Sequence, residues 1–166
     1  MNSAAALLFT QAILVLQPTA TSKQKIQGAH IHFALNLLGT ILLIAGLIII
    51  EMNKAHAPDT RFTSVHGILG LITFIVLILQ ALVGFAQFYI PETVFGSVDK
   101  AKSIYKYHRM SGYVIVLLLL ATICAATQTG FNKNVLQIRL WAVIVASVLV
   151  VAGTLPRIKK HKLGLS

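Results

Sequence analysis

The sequence predicts an all-α fold: a polytopic transmembrane helix bundle with four full spans and a shortened first helix. Three observations predict it. Charged residues make up only 11% of the 166 residues, against about 25% in a soluble domain, too few to cover a water-facing surface. Hydrophobic residues make up 57%. They are gathered into four runs that approach the roughly 20 residues a helix needs to cross hydrocarbon. Backbone groups in lipid must be satisfied internally, which makes such runs helices. This balance excludes a soluble globular enzyme and a disordered tail, and the single Cys124, with no partner within the chain, excludes a disulfide scaffold. The length suits one domain, residues 1–166.

The elements follow in chain order. The first run, 2–17, is helix-like but about one turn short of a span. It begins directly at Met1 without the charged start or cleavage site of a signal peptide. It is either an interfacial piece or the remainder of a helix that starts earlier. The second run, 31–51, is uncharged through Ile50, and the third, 64–90, carries no Lys, Arg, Asp or Glu. The fourth covers 108–128. The fifth, 138–155, is stopped by Pro156 and followed by a basic tail, 156–166.

Net charge is +10. In a soluble chain that would point to nucleic acid, but here the cations lie between and after apolar runs. Ten Lys and Arg fall on one side, in the 18–30 and 91–109 loops and the tail, and four on the other. The positive-inside rule then places the tail and these two loops in the cytosol, if the short first run crosses. The 51–64 and 129–139 loops face the lumen or exterior.

Of six histidines, His56 and His161 read as solvated loop residues. The others stand at span starts: His30 and His32, His66, and His108. Ionisable groups at membrane depth are costly and usually face the bundle interior with a function. His32 and His108 open their helices from the cytosolic side, at similar depth, whereas His66 opens from the other side. Two imidazoles at one depth on facing helices suit the fifth and sixth ligands of one haem iron. At about 100° per residue each of the three heads a stripe of small and polar residues. From His32 it holds Asn36, Gly39, Leu43 and Gly46; from His66, Gly70, Thr73, Leu77, Gln80 and Gly84. From His108 it holds Gly112, Ile115, Leu119, Thr122 and Ala126, with Ser111 alongside. Small residues permit close approach of a helix or a flat macrocycle. His30 points about 200° away from His32, and the small-residue face selects His32.

The order His32, Phe33, Ala34, Leu35, Asn36, then Ser64, Val65, His66, Gly67 with Gly70, then Tyr107, His108, Arg109, Met110, Ser111, Gly112 resembles the cytochrome b561 family. The likeness is to its small, domain-only members and covers roughly residues 1–130. The resemblance implies a six-helix membrane protein with two b haems, each held between helices. It implies that His32 and His108 ligate the cytosolic haem and His66 the other. It also implies electron transfer from cytosolic ascorbate to monodehydroascorbate or ferric chelates, in endomembranes or the plasma membrane, in a protein that is often a homodimer. The family's partner to His66 lies in a His-Pro motif that would fall before Met1. The expectation is therefore a chain clipped at its start. The other reading is a short form that keeps only the His32/His108 haem.

Ascorbate is an anion, so a donor site needs cations beside the haem edge. Lys25, Lys102 and Lys106, with Tyr107, approach the His32/His108 mouth and are the candidate substrate contacts. Lys25 matches a family position, and Tyr107 is a candidate for proton handling. Lysines there also serve topology and attraction to anionic lipid, worth about 1 kcal/mol each. On the far side His56, Asp59 and Arg61 could assist an acceptor. No phosphate loop, zinc Cys pair or nucleophile elbow is present. The alternative function is a truncated or haem-poor membrane subunit or assembly partner.

Overall fold

A computed structural model describes residues 2–55, 62–158 and 163. The expectations for His56, Asp59, Arg61 and the tail beyond residue 158 fall largely outside the described residues. No strand occurs among those described. The helices are α1 (Asn2–Leu14), α2 (Ser22–Asn53), α3 (Val65–Tyr89), α4 (Pro91–Phe95), α5 (Val98–Ser103), α6 (Tyr105–Ala126), α7 (Gly130–Asn134) and α8 (Leu140–Thr154). A 3₁₀ turn, Leu155–Arg157, extends α8. Helices α2, α3, α6 and the extended α8 are long and apolar enough to cross a membrane, and α1 is shorter.

Two predicted boundaries move. Helix α2 starts nine residues before residue 31, so Lys23 and Lys25 are on a helix and not in a loop. The cause is a capping box. The Thr21 hydroxyl accepts from the Gln24 N–H, and the Gln24 side chain accepts from the Thr21 N–H. Hydropathy cannot see this signal because residues 22–27 are polar apart from Ile26. The predicted loop 91–109 contains α4, α5 and the first turn of α6. Pro91 opens α4, Gly96 ends it in the left-handed region at φ 78°, and the Ser97 hydroxyl caps α5. Lys106 and Tyr107 therefore ride on α6. Smaller shifts end α1 at Leu14 and α6 at Ala126, and start α8 at Leu140.

Large apolar side chains such as Ile48, Leu79, Leu82, Val148 and Leu149 are more than half exposed, the pattern of faces turned to lipid. Between helices in lipid there is no hydrophobic driving force, so close approach and interhelical hydrogen bonds hold the bundle. Helix α1 lies antiparallel to α2. Phe9 fills the space where Gly39 has no side chain, and Thr19 and Leu16 press on Gly28. Ala5 and Ala12 are fully buried. A bond from Gln17 Nε2 to the Tyr113 hydroxyl ties the end of this pair to α6. The core joins Ala5, Ala6 and Phe9 of α1 to Leu77 of α3 and Ile115 and Leu119 of α6. Helix α8 packs along α6, with Cys124 against Ser147.

Candidate functional site

Helices α3 and α6 run antiparallel. His66, at the start of α3, meets Thr122 near the end of α6, and Gly84, near the end of α3, meets His108 near the start of α6. Helix α2 is antiparallel to α3 as well, because Phe33 packs on Phe85 and Tyr89. The starts of α2 and α6 therefore share one end of the bundle. His32, near the start of α2, and His108, near the start of α6, both lie at that end. His66 lies at the opposite end. Fourteen residues of α6 and eighteen of α3 separate the two ends, or about 21–27 Å at 1.5 Å per residue.

Two of these rings are steered by backbone carbonyls. His32 Nδ1 bonds the Ala12 carbonyl at 2.7 Å, and His66 Nδ1 bonds the Thr122 carbonyl at 3.0 Å. A carbonyl can only accept, so Nδ1 carries the proton and Nε2 keeps its lone pair. That is the usual arrangement of a metal-binding imidazole. Behind His66, the Thr73 hydroxyl bonds the Thr122 hydroxyl at 3.0 Å, and Thr122 in turn donates to the Leu118 carbonyl. His108 is held differently. Its ring fills the gap at Gly84, where a Cβ would lie 2.8 Å from Cε1. Its Nδ1 is buried without a partner among the described residues. Gln80 Nε2 donates to the His108 carbonyl at 2.6 Å, and the Ser111 hydroxyl donates to Gln80 Oε1 at 2.8 Å.

The sequence model described as eukaryotic cytochrome b561 matches residues 1–137. The chain belongs to the cytochrome b561 family. It is thus an integral, multi-pass membrane protein of a family of haem-b electron-transfer oxidoreductases. No curated protein and no solved structure matches it.

The donor set of this cytochrome b561 chain fits a haem. Among the described residues no group of three or more His, Cys, Asp or Glu gathers around a point, as a bare metal ion would need. An iron held by a macrocycle needs only axial ligands, and each end of the bundle offers imidazole with small residues nearby. The structure separates His32 from His30, as the small-residue stripe predicts. His30 is on the outer face, edge-on to Phe88 and 3.4 Å from the Tyr89 hydroxyl. This aromatic group, with Phe33 and Phe85, carried no signal in the spacing, since each ring reads singly as part of an apolar run. The stripes face inward in part: Gly39, Thr73, Leu77, Ile115, Leu119 and Thr122 are buried, and their other members are half-buried.

The predicted substrate contacts are exposed at the His32/His108 end. Lys25 lies in the first turns of α2. Lys102 pairs with Asp99 at 3.3 Å. The Lys106 ammonium lies 5.0 Å from the centroid of the Tyr107 ring. An apolar cavity of about 400 Å³ between α6 and α8, lined by Leu117, Cys124, Val148 and Val151 among others, includes none of the histidines.

Proposed function

We propose that this protein carries single electrons across a membrane by b-type haem, from cytosolic ascorbate to monodehydroascorbate or a ferric chelate on the other side. The observation that carries this reading is that His32 and His108 lie at one end of the bundle, near the starts of α2 and α6, and His66 at the other. His32 and His108 would ligate one haem iron, and His66 would ligate an iron at the opposite end. When bound, the haem supplies a one-electron redox centre whose potential is set by its ligands, burial and local charge. The chain's own part is to hold the imidazoles, exclude water and attract the donor.

Lys25, Lys102, Lys106 and Tyr107 form the proposed donor site. Cations around a mouth raise the local concentration of an anion and speed its arrival. Lys25 and Lys106 have the stronger claim, because Asp99 offsets the charge of Lys102. The charge balance of the loops supports a cytosolic setting for this end and for the C-terminus. The proposed assembly is a homodimer of one-domain chains in lipid, in an endomembrane or the plasma membrane.

Purified protein should be red, with a reduced α-band of b-cytochrome type, and ascorbate should reduce it without a mediator. His108→Ala should remove the haem at the Lys-rich end. A colourless yet stably folded preparation would sink the proposal in favour of a haem-poor subunit.

A further inference from the structure

We infer that Gln80 is a positioning residue for His108, acting through the backbone carbonyl of the histidine; this rests on reading His108 as an axial ligand. His32 and His66 each have a ring nitrogen bonded to a carbonyl on a neighbouring helix. Among the described residues His108 Nδ1 has no partner, so no such bond orients its ring. The start of α6 does not orient it either, because Ile104 offers no side-chain cap to the first turn.

Gln80 supplies the missing restraint. It stands in the apolar run of α3, where a primary amide must find partners inside the protein. Its nitrogen donates to the His108 carbonyl at 2.6 Å, and its oxygen lies 2.8 Å from the Ser111 hydroxyl, whose one proton it shares with the Tyr107 carbonyl at 2.8 Å. A carbonyl has two lone pairs, so this bond is compatible with the helix's own. Gly112 leaves the space: a Cβ there would lie 3.3 Å from Gln80 Nε2. One turn further along α3, Gly84 takes the ring itself. The amide and the two glycine gaps together fix both the backbone that carries His108 and the plane its ring occupies.

The test uses purified haem-loaded protein and reads haem-to-protein ratio, midpoint potential and the low-spin electron paramagnetic resonance signal. Gln80→Leu should shift the potential, broaden the signal and lower haem retention roughly tenfold, the low end of the range seen when a group supporting a ligand is removed. Ser111→Ala should move all three readings in the same direction by less. Gln80→Glu, which keeps an acceptor and a donor in its neutral form, should restore them. Ser147→Ala removes a side-chain contact between α8 and α6 away from the histidines and should leave the His108 signal unchanged. A wild-type spectrum in both Gln80→Leu and Ser111→Ala overturns the inference, as does an equal shift in Ser147→Ala. Should Gln80→Leu fail to fold, Ser111→Ala decides. A colourless wild type overturns the functional reading and this inference with it, whereas a red wild type with unmoved variants overturns this inference alone.

Discussion

Gly84 and Gly39 leave no room for a methyl group. A Cβ at Gly84 would lie 2.8 Å from His108 Cε1, and one at Gly39 would lie 2.9 Å from Phe9 Cε1. Alanine is favoured over glycine in a helix by up to about 1 kcal/mol, but overpacking costs about 1–3 kcal/mol, so the steric effect wins at both sites. Gly84→Ala should lower thermal stability and displace the His108 ring, read as a change in the haem spectrum. Gly39→Ala should lower stability through Phe9, with any spectral change secondary. Gly153→Ala, with nothing within 4 Å, should be neutral or slightly stabilising. At this scale the sequence was informative about faces. Stepping by 100° from His66 and His108 finds Thr73, Leu77, Ile115, Leu119 and Thr122, all buried. Which ring nitrogen is left free was not legible. It depends on the Ala12 and Thr122 carbonyls, and every residue has a carbonyl.

At the level of helices, what hydropathy measures and what starts a helix are different quantities. The apolar content of α2 begins near Ile31, but its hydrogen-bonded start is the Thr21–Gln24 box. Thr21→Ala should cost about 1 kcal/mol and fray the first turn without touching His32, measurable as faster hydrogen exchange at Gln24 and Lys25. The short helices α4 and α5 had their punctuation in the sequence, in Pro91, Gly96 and Ser97. At five and six residues they are too brief for a periodicity to emerge. Between α3 and α6, the Thr73–Thr122 bond should be worth about 0.6 kcal/mol, the average for such bonds in membrane proteins. A double-mutant cycle with Thr73→Val and Thr122→Val measures it.

For the whole molecule, the fold class was legible almost entirely, because scarcity of charge and length of apolar runs leave few solutions in lipid. The antiparallel order of α2, α3 and α6 puts Lys25 and Lys133 at opposite ends. In a Cys124→Ser background, Lys25→Cys and Lys133→Cys should react with a membrane-impermeant thiol reagent from opposite sides of sealed vesicles. Labelling of both from one side would overturn the topology. Helix α2 has one further consequence. Its 32 residues extend about 48 Å, well beyond the roughly 30 Å of hydrocarbon, and no proline interrupts it between Lys25 and His32. Those two residues are held about 10 Å apart along the axis by seven rises of unbroken helix. The stand-off between a charge that greets an incoming molecule and the imidazole beneath it is thus a ruler cut into the backbone, and one inserted alanine between them would swing the charge some 100° away.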